Sequence, residues 1–491
     1  MPPNKFYITT TLPYVNAPPH IGFALELVQA DIIARYRRLM GDEVFFNTGT
    51  DEHGLKIYRQ AVEAGKDPQA YADEYAAKFE RLRTALNVDW TVFIRTTDPH
   101  HIAAAQEFWR RCDKGGDIYK QAYRVKYCVG CELEKTDSEL VDSRCPIHPN
   151  RAIEELEEEN YFFRFSKYQQ PLLDYYAAHP DFVLPDFRLS EIRNFVAAGL
   201  RDFSISRLKS KMPWGVPVPG DDAHVMYVWF DALINYISTL GWPEDQQKFD
   251  DFWGTRGHEN AIQLAGKDNL RQQSAMWQAM LMSAGLPNSE HILIHGFITS
   301  GEEKMSKSVG NVVDPFGVVE QYGTDALRFW FAHEMPTFGD GDFTWERFRT
   351  SYNAHLANGL GNLVSRVMKM ASANGISIDS EYLRVAENEQ FRFGLANNYR
   401  KDFEDFNLQS AIDKVWDIVR YDDLFIQKEE PFKKIKTNPK EAQQNIQFLL
   451  SDLYIIGKLL RPFLPETSKK IFDAVSSSKE ITTPLFPRLP A

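Results

Sequence analysis

The opening of the chain leaves few folds open. Residues 5–11, Lys-Phe-Tyr-Ile-Thr-Thr-Thr, make an apolar and β-branched run of strand length, and residues 22–40 then carry apolar side chains at helical spacing. A second strand-like run covers residues 43–47. The helix between the two runs is the crossover that two parallel strands require, so the chain begins as a βαβ unit of a parallel sheet. Ligands of such sheets sit beyond the strand ends, where loops enter helices, which places a site near residues 11–23.

The rest of the chain divides by pattern. From about residue 116 to 225 the alternation is interrupted by a cysteine cluster, an acidic run over residues 154–159 and proline-rich turns. A parallel-sheet pattern then resumes, and beyond about residue 350 the sequence turns helical. Phe391, Leu395, Tyr399 and Phe403 recur every fourth residue, and Ile412, Val415, Trp416 and Val419 form another stripe. The expected organisation is an α/β fold with one sheet half over 1–115, an insertion over 116–225, the second half over 226–350 and an all-α bundle over 351–491. With 491 residues, 43% hydrophobic and 25% charged, the chain has apolar material for several cores. No run reaches the ~18 apolar residues of a membrane span, since residues 449–464 are broken by Asp452, Lys458, Arg461 and Pro462. The first residues lack a basic stretch followed by an apolar one, so no export signal is read and a cytoplasmic location without membrane partners is expected. A net charge of −12 argues against indiscriminate coating of nucleic acid, while a local basic surface can still hold one RNA.

Three constellations carry chemistry. Pro19-His20-Ile21-Gly22 stands at the mouth of the first helix, where glycine permits close backbone approach and the helix start offers N–H groups to phosphate oxygens. Lys304-Met305-Ser306-Lys307-Ser308 follows the apolar strand over residues 292–298; its two lysines, flanked by hydroxyl residues and by Gly301 and Gly310, make a cationic clamp for a polyphosphate. Cys128, Cys131, Cys145 and His148 leave two, thirteen and two residues between successive members. Two knuckles of three thiolates and one imidazole make a closed tetrahedral site, which in a reducing compartment means one structural Zn²⁺. Cys112 lies outside that pattern and reads as a small buried apolar residue.

The first two motifs, in this order and on these elements, resemble the His-Ile-Gly-His and Lys-Met-Ser-Lys-Ser signatures of class I aminoacyl-tRNA synthetases. Gly323-Thr324-Asp325-Ala326-Leu327-Arg328 is similar to that family as well. Thr11-Leu12-Pro13-Tyr14-Val15-Asn16, Gly49-Thr50-Asp51-Glu52-His53-Gly54, Tyr227-Val228-Trp229-Phe230-Asp231-Ala232 and Ile294-His295-Gly296 resemble methionyl-tRNA synthetases at matching places, over nearly the whole chain. The resemblance implies a Rossmann-type catalytic domain split by a zinc-bearing insertion and followed by an anticodon-binding helix bundle. It implies a methionine pocket of Leu12, Tyr14, Trp229, Ala232, Leu233, Tyr236 and His295, with Asp51 facing the ammonium group. Aromatic walls suit a thioether, which is polarizable and nearly without hydrogen-bonding power. ATP, with Mg²⁺, would meet His20, Gly22, Asn16, Lys304 and Lys307, with Gly266-Lys267-Asp268 near the nucleotide. Asn362, Arg366 and Phe432 would read the anticodon of tRNA(Met), Phe432 standing where the family usually has tryptophan.

The implied reaction joins L-methionine to ATP as an adenylate and then to the last adenosine of the tRNA. Positioning and charge stabilisation carry such a displacement, without a protein nucleophile. Two alternatives stand beside this reading. One is another class I enzyme, such as one for cysteine, although the cysteine cluster lies in the insertion and no large editing segment is present. The other is a silent tRNA-binding relative, suggested by Phe23 where the family has its second histidine. A monomer is expected, because the chain stops soon after the bundle.

Overall fold

The computed structural model describes residues 3–131, 133–135, 139–301, 303–305, 312–378 and 393–490. They group into two compact units, one of residues 1–19, 41–83 and 89–295, the other of residues 20–40, 84–88 and 296–491.

The first unit is built on a six-stranded parallel sheet. Its spatial order is Val92–Arg95, Glu43–Thr50, Lys5–Thr9, Ala261–Gly266, His291–His295 and Val183–Leu184. Lys5–Thr9 is central, pairing in parallel with Glu43–Thr50 from Lys5↔Glu43 to Thr9↔Asn47 and with Ala261–Gly266 from Tyr7↔Ala261. Central strands of a parallel sheet are covered on both faces, which is why these strands are buried at successive residues rather than at alternate ones. Beside the sheet lies an aromatic core in which the Phe108 ring stacks on Trp277 at 5.6 Å and meets Trp242 edge-on at 5.9 Å. Cys112 is fully buried on the helix Pro99–Lys114, and burial pushes its thiol up to about 12, as expected of a small apolar core residue.

Within the interrupted stretch the chain forms an antiparallel sheet instead. Ile118–Cys128 pairs with Glu154–Phe163 from Ile118↔Phe163 to Tyr127↔Glu154, and Leu133–Lys135 and Phe203–Ser204 add to its edges. The acidic run is therefore part of a ten-residue strand. Its register sets Lys126 opposite Glu155, and Lys120 Nζ lies 3.9 Å from Glu159 Oε2, so cross-strand charges replace the apolar pattern that normally reveals a strand.

The second unit is mostly helical. Ile21–Leu39 belongs to it, and the rings of Tyr36 and Phe403 stack there at 3.9 Å. A small sheet of Glu303–Lys304, Ile298–Ser300 and Gly341–Asp342 precedes the bundle. In the helix Leu408–Glu429 the stripe Ile412, Val415, Trp416 and Val419 is buried, as its spacing predicts. Tyr399 and Phe403 are buried too, whereas Phe391 and the side chain of Leu395 lie outside the described residues.

Candidate functional site

The amino-acid pocket expected from the sequence falls wholly within the first unit. Beyond Lys5–Thr9 the chain turns back onto the neighbouring strand: Tyr14 bridges Asp51, Asp51 N–H donates to Pro13 O at 3.0 Å and Val15 N–H to Asp51 O at 3.2 Å. Two loops rich in special residues are thereby fixed to each other by backbone bonds. Leu12 and Tyr14 are half-buried, and Asp51 is only 2% exposed. Trp229 lies on the short helix Val228–Ala232 and meets the Tyr14 ring edge-on, centroids 6.3 Å apart. Its indole Nε1 is buried without a hydrogen-bond partner among the described residues. Ala232, Leu233 and Tyr236 are buried. The Tyr236 hydroxyl accepts from Gln273 Nε2 at 2.6 Å while the Tyr236 backbone carbonyl accepts from the Tyr7 hydroxyl at 2.7 Å, so the side chain and the backbone that carries it are both held. His295 ends the strand His291–His295 opposite Gly266, at the carboxyl edge of the sheet where ligands of parallel sheets bind.

A network that sequence reading missed joins these pieces. Asp231, fully buried next to Ala232, accepts from His53 Nδ1 at 2.7 Å and from His101 Nε2 at 2.9 Å, and His101 Nδ1 lies 2.9 Å from the Ser238 hydroxyl. Burial alone would raise the Asp231 carboxyl, but the charge of His53 and the hydrogen bonds of both imidazoles outweigh it and hold the group near 2. Glu52, also fully buried, takes Arg95 Nε at 2.7 Å and Nη2 at 2.9 Å, with the Thr50 hydroxyl at 2.7 Å. The fully buried Asp231 thus fastens the segment 51–54 to the helix with Trp229, and the fully buried Glu52 fastens it to Arg95. The only local signal was one aspartate inside the apolar run Val228-Trp229-Phe230-Asp231-Ala232.

The first signature motif opens the second unit at His20. His20 caps the helix Ile21–Leu39, its Nδ1 accepting from Gly22 N–H at 3.1 Å. A Cβ at residue 22 would stand 3.0 Å from that ring, so glycine is what lets the imidazole fold back. Ile21 N–H donates to Val313 O at 3.1 Å, so the first two helix donors are engaged within the protein. Phe23, one residue on, is buried. Asn16, in the first unit, has its amide placed to donate to Tyr14 O at 3.1 Å and accept from Lys56 Nζ at 2.9 Å. Glu303–Lys304 pairs with Ile298–Ser300 as a β-ribbon, while Ser306, Lys307 and Ser308 lie outside the described residues.

Cys128, Cys131, Cys145 and His148 converge as their spacing predicts, with ligand atoms all within 4.8 Å of one another. Cys131 Sγ is 3.4 Å from Cys145 Sγ, far beyond a disulfide, and 3.2 Å from His148 Nδ1; Cys128 Sγ is 3.9 Å from His148 Nδ1. A Cβ at Gly130 would stand 2.5 Å from the His148 ring, so only glycine lets the knuckle close. In the bundle, Asn362 is exposed, Arg366 Nη1 pairs with Asp423 Oδ1 at 3.0 Å, and Phe432 is 48% exposed at the start of Pro431–Thr437.

Gly323-Thr324-Asp325-Ala326-Leu327-Arg328 proves to be an internal fastener. Thr324 donates to Ala85 O at 2.8 Å, and Asp325 accepts from Thr467 N–H at 2.6 Å. Arg328, with no exposure, pairs with Asp31 at 2.7 Å and donates to the carbonyls of Phe463, Leu86 and Pro462.

Comparison with known proteins supplies the family. The model for class I tRNA synthetases (M) matches residues 6–155 and 131–368, and the model for the anticodon-binding domain of methionyl tRNA ligase matches residues 387–484. A methionine–tRNA ligase of Thermosynechococcus vestitus is 42% identical over 99% of this chain and 92% of its own. One from Thermotoga maritima is 40% identical over 96% of this chain and 75% of its own. A Mycobacterium tuberculosis methionyl-tRNA synthetase, solved in complex with methionyl-adenylate, is 35% identical and superposes with a TM-score of 0.87 over 99% of each chain.

Proposed function

The chain belongs to the methionine–tRNA ligase family of class I tRNA synthetases, and from that premise we propose which of its residues perform the reaction. It activates L-methionine with ATP to methionyl-adenylate and transfers the aminoacyl group to the 3′-terminal adenosine of tRNA(Met), releasing pyrophosphate and AMP.

Leu12, Tyr14, Trp229, Ala232, Leu233, Tyr236 and His295 enclose the methionine side chain. Tyr14 and Trp229 give the sulfur polarizable ring faces and edges, and the fixed Tyr236 closes the pocket at a set depth. Asp51, anchored by its backbone to residues 13–15, pairs with the ammonium group and so orients the carboxylate for attack. The observation that carries this assignment is the buried tie of Asp231 to His53 and His101, which fixes the segment 51–54 to the helix bearing Trp229.

The methionine carboxylate attacks the α-phosphorus, an oxygen–phosphorus bond forms as the bond to pyrophosphate breaks, and no protein base is needed. ATP enters as its Mg²⁺ complex. When the His20 ring swings away from Gly22, it exposes that N–H, and imidazole and amide together meet phosphate oxygens. Lys304 and Lys307 meet the charge growing on the leaving pyrophosphate. Asn16 takes a supporting position at the nucleotide. Phe23 contributes only packing.

The cysteine cluster fits one Zn²⁺: three thiols and an imidazole within reach of a common centre, two of the thiols fully buried, and a glycine cradle that a side chain would fill. Its role is structural, since all four positions are taken by protein. Asn362, Arg366 and Phe432 contact the anticodon, Arg366 exchanging Asp423 for a base. On this proposal the catalytic halves are residues 1–115 and 226–350, the zinc-bearing insertion 116–225 and the anticodon domain 351–491, in a cytoplasmic monomer. The described residues contain no helix long and apolar enough to cross a membrane.

ATP–pyrophosphate exchange against a panel of amino acids tests the reading. Exchange with methionine, and far less with cysteine, leucine or isoleucine, is expected; exchange strongest with another amino acid would overturn it.

A further inference from the structure

Apart from the cysteine cluster, one other group of metal-ligating side chains converges among the described residues, at the start of the bundle in the second unit. The helical turn Trp330–Glu334 presents His333 and Glu334 in succession. Ser351 and His355 stand one turn apart on the continuous helical stretch formed by Trp345–Ser351 and Tyr352–Gly361. One ligand atom from each of His333, Glu334 and His355 lies within 4.8 Å of the others. His333 Nδ1 is 2.9 Å from Glu334 Oε1, and the His333 and His355 ring centroids are 4.6 Å apart.

The surroundings repeat what metal centres require of their outer groups. A ligating histidine usually gives its other ring N–H to a carboxylate, and here His333 Nε2 faces Asp413 Oδ1 at 3.4 Å. A ligating carboxylate is usually hydrogen-bonded in turn, and Glu334 Oε1 accepts from the Ser351 hydroxyl at 2.6 Å. The His333 ring packs against Phe329, stacked at 4.7 Å, and Trp416 at 5.7 Å. Its backbone carbonyl accepts from Gln409 Nε2 at 2.8 Å. A proton between Nδ1 and Glu334 satisfies only two of these groups, whereas an ion there also engages His355.

We propose that His333, Glu334 and His355 bind a second divalent transition-metal ion, with Asp413 and Ser351 orienting its ligands. Two imidazoles and one carboxylate suit ions of borderline softness such as zinc, cobalt or nickel, and supply too few oxygens for calcium or magnesium. Protein fills three positions and water the rest. The ion fastens the turn after Thr324–Phe329 to the helix that leads into Asn362–Ala373, and through Asp413 to Leu408–Glu429.

Cobalt(II) titration of the whole protein tests this, after the cysteine cluster has been saturated with one equivalent of zinc. A further equivalent of cobalt should bind, giving visible d–d bands without thiolate charge-transfer absorption. Asp413→Asn should weaken that binding roughly 10- to 100-fold, as loss of an outer carboxylate does elsewhere, and His355→Gln should abolish it. Absence of the additional equivalent in the parent protein would overturn the proposal whatever the variants do. So would a second equivalent that a folded His355→Gln protein, checked by circular dichroism, binds as tightly as the parent. The remaining reading, a plain hydrogen-bonded cluster, predicts that the parent binds no additional equivalent.

Discussion

Residues 49–54 and 323–328 both begin Gly-Thr-Asp, and both bury charge, yet they do different work. In the first, Glu52 and His53 take up Arg95 and Asp231, holding the loop rigid around the backbone of Asp51. In the second, Thr324, Asp325 and Arg328 turn inward to Ala85, Thr467, Asp31 and three carbonyls. The tripeptide is the same, and its surroundings decide its role. In one loop the neighbours carry the structural burden and leave the aspartate for the substrate contact proposed above; in the other the whole segment is structural.

Substitution should separate the two sharply. Arg328→Ala strips three buried carbonyls of their donor and leaves Asp31 with Arg35 as its remaining cation, and should cost about 3–5 kcal/mol of stability, with exchange per folded molecule little changed. Urea unfolding alongside active-site titration measures both. A stable variant with impaired methionine activation would break the contrast. Asp51→Asn should do the reverse, unfolding like the parent while the KM for methionine rises roughly 10- to 150-fold, as loss of about 1.5–3 kcal/mol of charged hydrogen bonding would give. An unfolded Asp51→Asn protein would place that residue with the fasteners. Arg366→Ala sets the small end of the scale. On the proposal that Arg366 gives up Asp423 to meet RNA, the net loss should be about 1 kcal/mol, roughly fivefold in kcat/KM for tRNA, with methionine activation intact. Loss of both activities together would mean that the anticodon contact lies elsewhere.

The sequence revealed what is periodic or closely spaced. Strand, helix and strand at the start follow the alternation of apolar runs, the convergence of Cys128, Cys131, Cys145 and His148 follows paired spacing, and the buried stripe of Leu408–Glu429 follows its four-residue recurrence. What it concealed depends on residues distant in the chain. His53, His101 and Asp231 meet across 178 residues, and no local pattern marks a histidine as a partner of a buried aspartate. The acidic strand escaped because charge pairing with Ile118–Cys128 replaced the apolar alternation. Arg328 looked like the end of a family signature, although its partners come from three separate segments, at Asp31, Leu86 and Pro462-Phe463.

The claim that this chain is a working ligase, and not a silent relative, turns on residue 23. Helix geometry sets residues 20 and 23 close together, and a phenyl ring, here buried, cannot donate a hydrogen bond. If His20, Gly22 N–H and the lysine clamp suffice, the parent protein is active without a second histidine. The direct measurement is methionine-dependent pyrophosphate exchange by the parent, His20→Ala and Phe23→His proteins side by side. The parent should exchange, Phe23→His should be tolerated, and His20→Ala should fall roughly 10²- to 10³-fold, the ~3 kcal/mol that loss of a preorganised donor costs. A parent without activity that gains it only with Phe23→His would contradict the account.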